Sequence, residues 1–495
     1  MNTDRNRQSN GREEQQGPPG LENATRRQFL AHSARLVGGA LIGSSLLTQA
    51  DRAARAEPIP DSVRGTAENT AAVRVWEYDV EADVWREGAA GKGTDSELQD
   101  FITWIGRTRE GTVAFATSAV EKWNRPARLW VVEANGPRLL PGATFGVRRD
   151  TVMHEYFRKT GYPIGTFNGP RVRINDVLFD SVGRIWVATS AGLCVRGEDG
   201  WHDLEQIWIK RKPFFQTQWK PQQRPTGPVL SIAEAYDGQI FLVTDGIGFY
   251  WGLLTFRADP SAQTGRYEFD VAWASMVSAG LGIITPPLAN VRRLAGGKDG
   301  TLYQLEQTFR LCCRRKDLRP DRRGWREVAG SLVPRAQRQE ATEFEATEIW
   351  HFLIDGQGIP WVAGAVGGPM AQKLQAYTRL RLPNQTAELG GRVWSFENGA
   401  WRDHPEAQTL IGAGHPTAMA EDSRGKLYVS STTGILCFDG HHWERWPLTA
   451  LWPQVAVAQG QDLQPWTDHL YVDEGDRLWI GAHRWLCRFD LNRRI

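Results

Sequence analysis

Two histidines, an aspartate, an arginine and a serine fall at one repeated place in this 495-residue chain. Seven tight turns, each followed by an apolar run, set the count. They are REGTVAFAT at Gly111, SVGRIWVAT at Gly183, AYDGQIFLVT at Gly238, GKDGTLYQL at Gly300, GQGIPWVAG at Gly358, SRGKLYVSS at Gly425, and EGDRLWIGA, where Asp476 replaces the glycine. Seven residues before each turn stand Trp104, Asp176, Ser231, Arg293, His351, Ala418 and His469. Six of these seven are polar or aromatic at the entry of otherwise apolar segments. Imidazoles beside a carboxylate and a guanidinium can bind an anionic or sugar-like ligand, or serve general acid–base chemistry. Polar residues are equally expected at any loop–strand junction, and a register slip of one residue would turn each to the opposite face.

Other chemistry leaves no signature. His351, His469 and Asp176 are of metal-ligating type, but the chain has no HxH, HExxH or paired-cysteine spacing, so no metal site is assigned and the cofactor stays unknown. There is no GxSxG elbow, no GxxxxGK[ST] phosphate loop and no dinucleotide fingerprint. His441-His442 reads as an exposed turn, and His404 and His415 as loop residues. Of five cysteines, Cys194, Cys437 and Cys487 share a repeat position (GLCVR, GILCFD, WLCRFD), and Cys312-Cys313 are adjacent. These are expected to be core thiols, since adjacent cysteines are poorly placed to bond each other.

The elements that must position the ring come from the same repetition. An apolar segment precedes every turn: FITWIG, INDVLF, VLSIAE, VRRLAG, IWHFLI, PTAMAE and HLYVDE. A second signature, a polar turn followed by Trp, ends four units at Trp201, Trp325, Trp401 and Trp443. Each unit therefore reads as four short antiparallel strands, the fourth with its Trp packing between neighbouring sheets. Such units cannot bury both faces alone, and a radial array covers them. The expected fold is all-β, a seven-bladed β-propeller of four-stranded antiparallel blades. The last unit, ending WLCRFDL, lacks its fourth strand, while EADVWREG with Trp85 stands near the start. An N-terminal strand is thus expected to close the ring, and Val73–Asp79 also resembles a third strand. Long loops are expected at about 141–170, 203–228, 257–290 and 328–347.

Residues 1–56 read as a disordered N-terminus and export signal, and 57–495 as the propeller domain, with repeats from about 73. Arg26, Arg27, Phe29 and Leu30 precede a mild apolar run, Leu36–Leu47, and a small-residue cleavage site after Ala56 or Ala50. This resembles a twin-arginine signal peptide. Twelve residues with three glycines are too few to cross a bilayer, which needs ~20 apolar residues. No later stretch is long and apolar enough to span a membrane. The signal implies a periplasmic or secreted protein that meets the twin-arginine translocase. The segment holds eight arginines against five carboxylates, so the whole-chain charge of +2 becomes −1 without it. That balance argues against a nucleic-acid partner. One basic, aromatic-interleaved run, Ile209–Arg224, reads as a solvated loop.

The pattern of an apolar strand, D-x-x-G, L/I-W-V/I-x-T and x-G-L resembles the two-component regulator propeller repeat. Ile174–Leu193 is the best copy, and Thr417–Phe438 and Leu470–Phe489 are next. In that family the repeats usually form the periplasmic sensor of a histidine kinase, with glycan fragments a common ligand type. No kinase or DNA-binding segment follows here, so the resemblance implies the fold rather than the signalling role. The first functional reading is an exported propeller binding a carbohydrate-like or small-molecule ligand, or a partner protein, at the channel mouth. The alternative is a lyase or hydrolase using His351 or His469 as general base. A third is a scaffold making protein contacts through its large loops. Fold alone does not decide among them.

Overall fold

A computed structural model describes residues 73–88, 101–120, 124–146, 172–204, 206–211, 222–225, 228–247, 250–256, 267–276, 291–306, 310–316, 325–329, 347–366, 391–412, 416–431, 434–446 and 469–492. The signal motif at Arg26, Arg27, Phe29 and Leu30, both cleavage sites, and the boundary near residue 57 lie outside the described residues.

Seven sheets, antiparallel except for one edge pair, follow one another along the chain. Their innermost strands are Ile102–Arg107, Ile174–Phe179, Val229–Glu234, Val291–Gly296, Thr347–Ile354, Pro416–Glu421 and His469–Val472. Each touches the next, and the seventh touches the first, so the ring closes. We number the blades one to seven in this order. The second strand of a blade is covered on both sides by its neighbours. For that reason it reads as a continuous apolar run and not as an alternation, and Val113–Thr117, Ile185–Thr189 and Leu427–Ser431 are buried at every position. The core is accordingly divided into seven clusters, each shared by two adjacent blades. One example joins Trp186 and Val195 of blade two to Ile232 and Leu242 of blade three. Trp201 shows how the outer-strand signature works. Its indole packs edge-on against Phe145 of blade one and donates to Pro141 O at 3.1 Å. It also lies over Gly142, where a Cβ would come within 2.9 Å of the ring.

The D-x-x-G turn owes its form to the aspartate. In blade two, Asp180 Oδ1 accepts from the Val182 and Arg184 amides, and Oδ2 accepts from Trp186 Nε1 at 2.9 Å. Blades five and seven repeat this clasp with Asp355–Trp361 and Asp473–Trp479, and blade six with Asp422–Tyr428. The turn residue after it is left-handed, at φ 90° for Gly183 and 53° for Asp476. Aspartate is among the few side chains that tolerate that region. Blades one, three and four carry Thr108, Ala235 and Gly297 where the aspartate stands, with Ala114, Phe241 and Tyr303 where the tryptophan stands.

The structure corrects the expected strand division in three places. Closure uses two N-terminal strands. Val73–Asp79 pairs directly with Trp485–Asp490 as the fourth strand of blade seven, and Val84–Glu87, carrying Trp85, is a fifth. The hairpin is pinned to blade one through Asp83, which pairs with Arg125 and Arg128. Second, the expected loop of Ile209–Arg224 is in part an edge hairpin. Gln206–Arg211 pairs in parallel with Glu268–Met276, and Gln222–Pro225 pairs outside it, giving blade three six strands. Third, Gly136–Phe145 and Glu268–Met276 are outer strands that occupy parts of the expected loops at 141–170 and 257–290. The other five blades are four-stranded, as expected.

Helix is confined, among the described residues, to Pro405–Ile411, and no described helix is long and apolar enough to cross a membrane. All five cysteines are buried thiols.

Candidate functional site: the ring of seven innermost strands

The seven ring positions are structurally equivalent. Trp104, Asp176, Ser231, Arg293, His351, Ala418 and His469 stand opposite Ala116, Ala188, Val243, Leu305, Ala363, Ser430 and Gly481, each twelve residues further on. In blades one to six the residue just before the ring position is a β-bulge, so two residues face one on the second strand. A bulge re-aims the side chain that follows it, and here it turns several ring side chains toward the next blade.

Asp176 Oδ2 accepts from Ile232 N at 2.9 Å and from Ser231 Oγ at 3.0 Å, while Oδ1 accepts from Val177 N. Ser231 Oγ in turn accepts from Leu294 N at 3.3 Å. Arg293 reaches both neighbours, donating to Leu230 O at 3.4 Å and Trp350 O at 3.3 Å. His351 Nδ1 accepts from Met419 N at 3.0 Å. A hydrogen-bonded girdle therefore runs from blade two to blade six. Ala418 cannot extend it. His469 does not, for its Nε2 is buried without a hydrogen-bond partner. Trp104 lies along its own strand instead, its ring occupying the space a Cβ on Gly106 would need.

Electrostatics follow from this enclosure. Both histidines keep part of their area open, yet protein surrounds each imidazole. Burial, with Arg293 adding repulsion, lowers His351 to about 3. Burial, then Arg173, His351 and Arg293, holds His469 well below its usual range. Both are neutral at pH 7. Because His351 Nδ1 accepts from an amide, its proton sits on Nε2, and its one basic lone pair is already engaged. Burial raises Asp176 above the usual carboxylate range against the lowering effect of its three hydrogen bonds and Arg293. The ring thus offers Nε2–H of His351, the arginines at 173 and 293, and an unengaged Nε2 on His469.

The remaining histidines divide. His441 and His442 are exposed in their turn, whereas His404 joins Ala400–Asp403 to the short helix and is not solvent-facing. It is buried at the start of the short helix, stacked on Trp361 at 4.9 Å and hydrogen-bonded to Ser395 Oγ at 2.9 Å. His415 lies outside the described residues. Among the described residues, no group of three or more His, Cys, Asp or Glu is placed to hold a metal. Sequence reasoning missed Arg173, three residues ahead of the counted Asp176, and the bulges.

The closed ring of equivalent blades defines a seven-bladed β-propeller. No protein-family profile matches the chain, and no curated protein matches it in sequence. Solved structures of similar arrangement include virginiamycin B lyase from Staphylococcus aureus, at 10% identity and TM-score 0.43, covering 81% of this chain and 98% of that one. The extracellular domain of a hybrid two-component system from B. thetaiotaomicron is similar at 10% identity and TM-score 0.43, over 81% of this chain and 39% of that one. YCF48 bound to D1 peptide follows at 10% and 0.41, over 79% and 93%. At such identities the likeness concerns the fold alone.

Proposed function

We propose that this protein is an exported propeller of the two-component regulator repeat type that binds a carbohydrate-like ligand, rich in hydroxyl or carboxylate acceptors, at the channel mouth. One observation carries the reading: among the ring side chains only His469 is a buried polar group with no partner, and it sits within electrostatic reach of Arg173, Arg293 and His351. The one ring carboxylate, Asp176, has both oxygens engaged. Such a site lacks acceptors, and a sugar hydroxyl or uronate supplies them. The test is a thermal-shift screen of the protein against neutral and acidic oligosaccharides and divalent metals. Acidic glycans are expected to raise Tm. His469→Ala and Arg173→Gln should remove that shift and His351→Ala weaken it, and a hit indifferent to all three would sink the proposal.

A second reading, a lyase, rests on His469. With its Nε2 unengaged and the imidazole neutral, it is better placed than His351 to abstract a proton. Formation of an ultraviolet-absorbing unsaturated sugar, abolished in His469→Ala while binding survives in His351→Ala, would favour it. Periplasmic or secreted location by the twin-arginine route belongs to the same proposal, and replacing Arg26 and Arg27 with lysine should retain the protein in the cytoplasm.

A further inference from the structure

At the turn end of the blades, opposite the ring, a cleft of about 270 Å³ opens where blade seven meets blade one. Three arginines line it, Arg74, Arg477 and Arg488, together with Trp479, Thr112 and Glu133. Their placement is dictated by strand register. Arg74 stands directly opposite Arg488 across the closing strand pair, and Arg488 stands opposite Trp479 on the other side, so the three share one face. Like charges directly opposed across a strand pair are destabilising, and such a pair on the very strands that close the ring calls for a counter-charge.

The neighbouring carboxylates do not provide it. Glu87 is taken by Arg74 through two hydrogen bonds of 2.5 Å, and Asp473 by Arg477 at 2.7 Å. Glu133 pairs with Arg138 and Glu474 with Arg107. Among the described residues, the Arg488 side chain has no ion-pair or hydrogen-bond partner. Its Nε is buried without a partner, and its guanidinium lies 5.9 Å from the Trp479 ring centroid. Burial, then Arg74 and Arg477, hold it below the usual arginine range, against the weaker pull of Asp473 and Glu87.

The geometry points to an oxyanion site at this seam, in which Arg488, flanked by Arg74 and Arg477, takes a carboxylate or phosphate group. A guanidinium matches either group in shape and charge, and the cleft is several times the roughly 30 Å³ that a water occupies. Occupancy cancels the Arg74–Arg488 repulsion across the closing strands, so the anion acts as a clasp on the ring. This site is independent of the channel mouth.

The test is thermal unfolding of the full chain with inorganic phosphate or acetate titrated at constant ionic strength against sodium chloride. Wild-type Tm is expected to rise by a few degrees with one or both, the stronger response naming the preferred group. Arg488→Met keeps the aliphatic packing on Trp479 and removes the opposed charge. It should fold with Tm at or above wild type in chloride and show no response to either anion. Arg74→Met releases Glu87 to pair with Arg488 and should lose the response as well, with Arg488 still present. No shift beyond chloride in the wild type, or an undiminished shift in both variants, overturns the site. Glycan binding at the ring should be unaffected by either substitution.

Discussion

The arc from blade two to blade six and the seam where blades six, seven and one adjoin are built from the same repeat but joined differently. In the arc, ring side chains reach across each blade boundary: Asp176 to Ile232, Ser231 to Leu294, Arg293 to Leu230 and Trp350, His351 to Met419. At the seam the equivalent residues are Ala418, His469 and Trp104, and none makes such a link. Cohesion there comes from strand pairing between Val73–Asp79 and Trp485–Asp490, from aromatic packing, with Trp76 stacked on Trp479 at 5.8 Å, and from polar links away from the ring, Asp83 to Arg125 and Arg128, Glu474 to Arg107 and Asp476 to Ser423. The contrast concerns the ring positions: those of the arc spend their polar atoms on the next blade, whereas His469 keeps one free. Both proposed binding sites, His469 at the ring and Arg488 at the turn end, lie at the seam.

Three perturbations probe that difference. The largest effect should come from removing the closing hairpin Val73–Glu87. Its loss uncovers the edge of Trp485–Asp490 and strips Trp76 and Tyr78 from a buried cluster. We expect a fall in Tm of more than ~10 °C, or insolubility, read by circular dichroism. Excising the edge hairpin of blade three should cost far less. If the two deletions proved equivalent, the seam would not be the weak joint.

Next in size is the turn clasp. Asp180→Ala in blade two strands a buried indole N–H and two turn amides, a cost of about 3 kcal/mol. Thr108→Ala, at the same place in blade one, where Ala114 replaces the tryptophan, should cost under about 1 kcal/mol in denaturant unfolding. Equal losses would refute the clasp as a source of stability in the blades that carry it.

The smallest effect concerns pH. His351 titrates near 3 when folded and near 6.5 when unfolded. The unfolded chain therefore takes up the proton first, and stability is lost as pH falls below 6.5. The contribution between pH 7 and 4.5 is about 2–3 kcal/mol. His351→Gln retains an acceptor for Met419 N without titrating. Its stability should decline less steeply over that window, and an unchanged slope would show that the imidazole is not enclosed as described.

What was legible in the sequence follows from the range of the interactions concerned. The D-x-x-G turn and its tryptophan lie within six residues of each other, as Asp180 and Trp186 do, so the blade count and the ring register could be read directly. Bulges could not, since a bulge is a property of pairing and Asn175 or Trp350 carries no mark of it. The roles of Asp176 and His351 were hidden for a related reason: their partners, Ile232 and Met419, are 56 and 68 residues away. The same distance obscured Gln206–Arg211, whose parallel partner is Glu268–Met276. A polar residue at a ring position announces an interaction, and only the fold says whether its partner is the next blade or a ligand.

The pairing of Val73–Asp79 with Trp485–Asp490 also orders events in time. During synthesis every blade from the first to the sixth can form as it leaves the ribosome, but the opening hairpin must wait, unpaired on one side, for nearly the whole chain. Its strand edge is the last to be satisfied, and a contact of such sequence separation is slow to form. Until then the nascent ring is an open arc with a sticky edge at each end. Completion of the ring thus waits on synthesis of Trp485–Asp490, which works as a latch for the opening hairpin.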